Sequence, residues 1–152
     1  MAEKLLEVKN VSIVFGGLRA VSNLDITINK GELVGLIGPN GAGKTTVFNM
    51  ITGVYTPTEG EIFFDGQKSS GKKSYLVTQM GMARTFQNIR LFADLSVIDN
   101  VKIAYNMHVN YGLGDAIFRD KKYLEEEKVI TQKALDLLKI FHLDELAEEK
   151  AK

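Results

Sequence analysis

The sequence has no cysteine, no surplus of either charge and no long apolar run. Without cysteine, the chain forms no disulfide and offers no thiolate to a metal ion. Its 19 basic residues balance 19 acidic ones among 152 residues, whereas a general nucleic-acid-binding surface needs a basic excess. We therefore expect no nucleic-acid partner.

The absence of a long apolar run argues against a membrane-spanning helix. The longest apolar stretch, near 33–38, is far shorter than the roughly 20 residues that a membrane-spanning helix needs. Glu3 and Glu7 place acidic side chains in the N-terminus, where a secretory signal has none. We expect a chain that spans no membrane itself and reaches one only through a partner.

The first 95 residues carry mostly strand and turn signals. Alternation and β-branched residues predict strands over 5–14 and 21–28. The run 33–37 is almost wholly apolar, as is typical of a strand buried on both faces of a parallel sheet. The remaining predicted elements are a helix over 44–52 ended by Gly53, a strand over 61–64 closed by an Asp65-Gly66 turn, a short helix over 75–80 and a strand over 82–86.

From residue 96 onward the period becomes helical. Ser96 and Asp99 have the spacing of a capping box, which predicts a helix through Ile103. The segment 121–141 predicts a long amphipathic helix. Its apolar face is predicted to contain Ile130, Ala134, Leu137, Leu138 and Phe141.

The glycine-rich segment after the 33–37 run carries the clearest chemistry. Residues 38–45 satisfy the pattern G-x-x-x-x-G-K-[ST], which forms a loop whose N–H groups surround anionic oxygens. The positive end of the predicted helix points to the same place. Lys44 can reach the β- and γ-phosphates, Thr45 can bind Mg²⁺, and Thr46 can donate to the α-phosphate. The pattern predicts a P-loop that binds ATP with Mg²⁺.

Other candidate residues are ambiguous when taken alone. Phe15 could stack on adenine, but an aromatic ring at a strand end is more often part of a core. Gln87 by itself is most simply a surface residue. Asp65 and Asp94 each follow a short apolar run, as the Mg²⁺-binding aspartate of a nucleotide hydrolase does, yet the Asp65-Gly66 pair favours a hairpin turn. Two isolated histidines, at 108 and 142, have no partner at metal-ligand spacing.

Taken together, these segments resemble a known family. Residues 38–46 resemble the P-loop of ABC transporter ATPases, 14–21 their adenine-contacting segment and 82–87 their Q-loop. The run 85–92, followed by 95–101, is similar to the ATP-binding subunits of branched-chain amino acid importers and of the related urea and amide importers.

The resemblance implies an α/β fold with an incomplete P-loop NTPase core, an antiparallel β subdomain and a helical subdomain. It implies a division at 1–95 and 96–152. Phe15 then stacks on adenine beside Val21, and Gln87 contacts Mg²⁺ and water and senses a transmembrane partner. The implied nucleotide-binding residues are Phe15, Val21, Gly38, Asn40, Gly41, Ala42, Gly43, Lys44, Thr45, Thr46 and Gln87, with Thr45 and Gln87 at the metal.

The family also implies partners and a location. The implied partners are transmembrane permease subunits and a second ATP-binding subunit. The implied location is the cytoplasm, at the inner face of the cell membrane. Small departures occur at Tyr75, where the family often has histidine, and in the polar segment 67–73. The larger departure is the absence of a signature loop, of the strand bearing the Mg²⁺-binding aspartate and catalytic glutamate, and of a switch histidine.

These absences leave other functions open. This chain alone is expected to bind ATP weakly without hydrolysing it, because the described motifs supply binding groups and no catalytic carboxylate. A non-catalytic P-loop module that senses nucleotide is the first alternative. A small P-loop kinase is the second, but Arg84 and Arg90 do not lie in a lid-like segment.

Overall fold

The computed structural model describes residues 3–86 and 90–152. The chain forms two compact units, Met1–Thr85 and Phe86–Lys152. The sequence predicts a division ten residues later, at 95/96, where the helical period begins. Residues of the first unit bear the candidate site.

The first unit is built on an antiparallel sheet with the strand order β2–β1–β3–β4. Its strands are β1 (Lys4–Phe15), β2 (Leu18–Asn29), β3 (Glu59–Phe64) and the two-residue β4 (Gln67–Lys68). The strands predicted over 5–14, 21–28 and 61–64 are confirmed, and each is longer than its sequence pattern indicates. Asp65 and Gly66 form the β3–β4 turn with φ of 46° and 74°, so the predicted Asp-Gly hairpin is also confirmed.

A close backbone crossing fixes β3 against β1. Gly60 has a φ of 81°, and a Cβ at this position would lie 2.3 Å from the Asn10 carbonyl oxygen. Nearby, the buried Ser12 hydroxyl accepts a hydrogen bond from the Asn23 N–H at 2.9 Å. The chain therefore needs glycine at position 60, since any side chain there overlaps the backbone of β1.

Helix α1 (Lys44–Ile51) packs on this sheet, and the shorter α2 (Ser74–Gln79) follows β4. The α1 residues Val47 and Met50 join the apolar face of β1 and β3, which places the start of α1 beside the sheet. Both helices match their sequence predictions to within one residue. The buried core of this unit is Leu6, Val8, Val11, Ile13, Val47, Met50 and Ile62.

Two predicted strands do not form. The run 33–37 has no strand structure, and Leu33 and Ile37 are 100% and 95% exposed. The segment 82–86 is likewise neither helix nor strand. A parallel strand needs a hydrogen-bonded neighbour and a cover on each face, but the sheet strands of the described residues pair only with one another. The prediction of a buried strand is therefore wrong for this chain as it stands.

The second unit is helical. Its α-helices are α3 (Val97–Tyr105), α4 (Leu113–Phe118) and α5 (Lys121–Ile140), with short 3₁₀ turns at Asn106–His108 and Asp144–Leu146. The predicted helix start is confirmed, since Ser96 is the N-cap and its hydroxyl accepts the Asp99 N–H at 3.1 Å. The Asp99 carboxylate accepts from the Ser96 hydroxyl at 2.8 Å, whereas in a full capping box it accepts from the N-cap N–H. The sequence pattern did not predict α4.

The apolar face of α5 is narrower than predicted. Ile130, Ala134 and Leu138 are buried, whereas Leu137 and Phe141 are 46% and 66% exposed. The small core formed with Ile98 and Ala147 covers only one stripe of the helix, so Leu137 and Phe141 stay exposed although they were predicted on the apolar face. No helix in the described part of the chain is both long and apolar enough to cross a membrane.

Candidate functional site

The P-loop connects the 33–37 run to α1 and bends tightly at two glycines. Gly41 and Gly43 have φ of 82° and 81°, in the left-handed region that glycine adopts without strain. A Cβ at Gly43 would lie 2.8 Å from the Ala20 carbonyl oxygen and 3.2 Å from a methyl group of Val21. The loop thus lies directly on β2, and Gly43 is required both for its backbone angle and for this contact.

The start of α1 is prepared for an anion. Gly43 is the N-cap, no side chain caps the helix, and its first turn has no acidic residue. The first intrahelical bond runs from the Val47 N–H to the Gly43 carbonyl at 2.9 Å. The N–H groups of residues 44–46 therefore lack intrahelical acceptors, and the helix dipole adds a partial positive charge there.

Lys44 adds a full positive charge at the same place. Its Nζ donates to the Gly38 carbonyl at 2.6 Å and to the Pro39 carbonyl at 2.7 Å. The side chain thus turns back over the loop, and its ammonium group stays at the loop and does not extend into solvent. Two carbonyl oxygens hold it where the oxygens of a polyphosphate can replace them.

These groups line one cavity of about 410 Å³. Six of the predicted binding residues line it, and three residues from the start of β2 complete it. The lining residues are Leu18, Arg19, Ala20, Asn40, Gly41, Gly43, Lys44, Thr45 and Thr46. Residue-by-residue reasoning did not single out the three from β2. Their only signal in the sequence is their place within the 14–21 segment, whose strand runs past the loop.

Arg19 brings a second cation to this cavity. Its two terminal nitrogens each lie 3.4 Å from a carboxylate oxygen of Glu59. Arg19 and Glu59 are both about half exposed, so solvent screens the pair and it adds little stability.

Four of the predicted binding residues do not line the cavity. Gly38 and Ala42 support the loop from within, since a Cβ at Gly38 would lie 3.3 Å from the Cβ of Ala42. Val21 is partly buried and packs against the core of the first unit. Phe15 ends β1, is 42% exposed and contacts Tyr55 edge-to-face. Their predicted roles toward nucleotide stay predictions.

Gln87 lies outside the described residues, and its predicted roles at Mg²⁺ and toward a transmembrane partner stay predictions. The segment just before it is held by Arg84. The Arg84 guanidinium donates to the Asn49 side-chain oxygen at 2.7 Å and to the Thr52 hydroxyl at 3.3 Å. It also lies over the Phe48 ring, 6.0 Å from the centroid. The end of α1 therefore anchors the chain three residues before Gln87.

The two acidic residues weighed as metal ligands are engaged by lysines. Asp65, in the β3–β4 turn, lies 3.2 Å from Lys30, and the hydrogen bonds that the Lys30 ammonium group donates to Glu3 and then to Asp65 raise its pKa. Asp94, in the second unit, lies 3.8 Å from Lys150 and is almost fully exposed. The described residues include no group of three or more histidine, aspartate or glutamate side chains that could hold a metal ion.

Comparisons with known proteins place this geometry in a family. The sequence profile described as "ABC transporter" matches residues 21–152. BraF of Pseudomonas aeruginosa, named a high-affinity branched-chain amino acid transport ATP-binding protein, is 36% identical over 151 residues, which are 99% of this chain and 59% of BraF. The chain thus spans about three fifths of the length of this relative.

Solved structures agree in fold. The ADP conformation of MJ1267, an ATP-binding cassette of an ABC transporter, superposes with a TM-score of 0.75 at 30% identity, covering 97% of this chain and 57% of MJ1267. The ATP-binding cassette MJ0796, solved as a dimer in a post-hydrolysis state with ADP and Pi, gives 0.70 at 25% identity, covering 97% and 62%. The family profile includes the P-loop and most of the chain, and the predicted α/β cassette fold is confirmed in part-length form. The chain belongs to the ABC transporter family.

Proposed function

We propose that this chain binds ATP and Mg²⁺ in the P-loop cavity, as the ATP-binding part of a subunit that drives import of branched-chain amino acids. The observation that carries the proposal is the convergence of Lys44, the uncapped start of α1, Thr45 and Thr46 on one cavity. The names of the relative and of the solved structures support the choice of nucleotide and of transport.

Different residues are proposed to bind different parts of the nucleotide. The N–H groups of the loop and of the start of α1 donate to the phosphate oxygens, and Lys44 exchanges its bonds to the Gly38 and Pro39 carbonyls for bonds to the β- and γ-phosphates. The Thr46 hydroxyl donates to the α-phosphate. Phe15 stacks on the adenine, with Val21 beside it.

The cavity also fits a phosphate-bound metal ion. Mg²⁺ binds proteins through one or two oxygen ligands together with substrate phosphates, and the Thr45 hydroxyl lines the cavity next to Lys44. Thr45 would hold the ion, with Gln87 as the second contact. Bound there, Mg²⁺ neutralises phosphate charge.

The proposed partners follow from the family. In this proposal the chain acts at the inner, cytoplasmic face of the membrane, against transmembrane permease subunits and with a second ATP-binding subunit. The dimeric cassette MJ0796 supports pairing of such subunits. A urea or amide importer is the alternative within the family, because the permease and binding protein select the transported substrate.

The test is association with the permease. The protein and its permease are produced together, and membranes are washed and assayed for retained protein, with ATP binding measured in parallel. Retention on membranes that contain the permease, compared with membranes that lack it, supports the importer role. ATP binding without permease-dependent retention contradicts it.

That second outcome would favour a nucleotide-sensing module instead. One observation speaks for it: Asp65 and Asp94, the two acids weighed as metal ligands, lie beside lysines, and neither is among the residues that line the cavity. Hydrolysis needs a metal-binding acid and a water-orienting group. The isolated chain is therefore expected to bind ATP without detectable turnover.

A further inference from the structure

Two aromatic rings meet beside the cassette's predicted adenine position. The Phe15 and Tyr55 ring centroids are 5.2 Å apart, and their planes are inclined by 70°. This is the edge-to-face geometry that aromatic pairs prefer. Both residues are about two fifths exposed, so the contact fixes the rings without burying them.

The loop that carries Tyr55 is fastened to α1. The N–H groups of Val54 and Tyr55 both donate to the Asn49 carbonyl, at 2.8 and 3.0 Å. Asn49 lies near the end of the helix whose first residue is Lys44. A helix of this length spans about 12 Å as a rigid rod. Tyr55 is therefore held at a fixed position relative to the phosphate-binding end of the site.

The same loop is also fastened to β1, next to Phe15. The Thr58 N–H donates to the Ser12 carbonyl at 2.9 Å, and the Thr58 hydroxyl accepts the Val14 N–H at 3.1 Å. Tyr55 therefore sits on a segment tied at one end to α1 and at the other to the residue that precedes Phe15.

We propose that Tyr55 is a positioning residue for nucleotide recognition, which holds the Phe15 ring in place for a purine base. The proposal rests on the proposed function, in which Phe15 stacks on the adenine of ATP. A half-exposed phenylalanine at a strand end can turn about two side-chain bonds, and the Tyr55 ring restricts that freedom before the ligand arrives. Preorganisation of this kind lowers the entropic cost of binding.

The size of the effect follows from the strength of an aromatic pair. Loss of the ring contact should weaken ATP binding by about two- to tenfold. It should leave binding of inorganic tripolyphosphate with Mg²⁺ unchanged, because that ligand has no base to stack. This difference between the two ligands separates positioning of the base from a general role in the fold.

The experiment measures both ligands by calorimetry on the full chain and on Tyr55→Leu, Tyr55→Phe, Phe15→Leu and the double variant. Tyr75→Leu is the matched control, because Tyr75 is an exposed tyrosine of the same unit that does not line the P-loop cavity. We expect Tyr55→Leu to weaken ATP alone and Tyr55→Phe, which keeps the ring, to restore affinity. The double variant should match Phe15→Leu, because Tyr55 acts through Phe15.

Three results would overturn the proposal: unchanged ATP affinity in Tyr55→Leu, equal loss of ATP and tripolyphosphate, or additive losses in the double variant. Failure of the proposed function has a different signature. In that case the unaltered chain binds neither ligand, or Lys44→Ala binds both as well as the unaltered chain does.

Discussion

The strand β1 and the run 33–37 are both rich in branched apolar residues, yet the first is the centre of a core and the second is exposed. Val11 of β1 is fully buried, whereas Leu33 is fully exposed. β1 has β2 on one edge and β3 on the other, while no described strand pairs with 33–37. An apolar strand is thus defined by its neighbours as much as by its own composition.

The largest expected contrast comes from the same substitution at a core position beside β1 and in the run 33–37. Ile62→Ala removes a fully buried side chain next to β1 and should lower the free energy of unfolding by about 2–5 kcal/mol. Ile37→Ala, at a residue that is 95% exposed, should change it by less than about 0.5 kcal/mol. Urea unfolding followed by circular dichroism measures both. A comparable loss at Ile37 would mean that 33–37 is packed.

A smaller contrast concerns backbone contact within the sheet. Gly60→Ala must push Asn10 aside, whereas Gly66→Ala, at a similar positive φ, meets open space. Both carry the strain of the left-handed region, and Gly60→Ala should lose about a further 1–3 kcal/mol through overlap. The same unfolding assay compares the pair. Equal losses would show that β1 and β3 do not approach this closely.

Charged residues of the second unit allow the same comparison, between the hydrogen-bonded Glu127 and the exposed Glu125 of α5. A hydrogen bond from Lys102 at 2.9 Å, and a second from Tyr111, hold the pKa of Glu127 below its usual range, although burial opposes this. A depressed pKa means that the ionised carboxylate stabilises the fold above its unfolded pKa of about 4.3. That stability is lost as the pH falls through the lower folded value.

Glu127→Gln should therefore destabilise α5 by about 1 kcal/mol at neutral pH and by less as the pH falls below about 4. Amide hydrogen exchange of α5 measures this. Glu125→Gln is the control, because Glu125 has an exposed side chain. A loss at Glu127 that is the same at pH 3 and pH 7 would contradict the assignment.

Substitution in the exposed run 33–37 should have the smallest effect on folding and a clear effect on solubility. Leu33 and Ile37 present apolar surface to water, and such surface favours association. The purified chain is therefore expected to be poorly soluble or partly molten. Ile37→Glu should raise its solubility and lower binding of an apolar dye with little change in unfolding free energy. A monodisperse chain with a sharp melt and no dye binding before substitution would contradict this.

Sequence reasoning predicted what is local and missed what depends on neighbours. The N-cap at Ser96 and the Asp65-Gly66 turn depend on nearby residues, and the strands of the antiparallel sheet show a local alternating pattern; all of these were found. The strands at 33–37 and 82–86 need distant partners, and both predictions failed. The exposure of Leu137 and Phe141 has the same cause, since their cover is set by the packing of α5.

The candidate site divides in the same way. The P-loop is one continuous segment whose spacing defines its shape, so Lys44, Thr45 and Thr46 could be assigned directly. The lining residues Leu18, Arg19 and Ala20 come from another strand, and only the fold brings them to the loop. The contact of Tyr55 with Phe15 joins residues 40 positions apart, so no local pattern indicates it.

In the proposed site, the Lys44 ammonium group holds the phosphates of a nucleotide bound at the P-loop. Isothermal titration of the whole chain with ATP and Mg²⁺ tests it most directly, beside Lys44→Ala and the exposed control Lys72→Ala, with circular dichroism to establish that each variant is folded. We expect measurable binding by the unaltered chain and by Lys72→Ala, and at least a tenfold loss, roughly 1.4 kcal/mol or more, in Lys44→Ala. Equal affinity in a folded Lys44→Ala variant would contradict it.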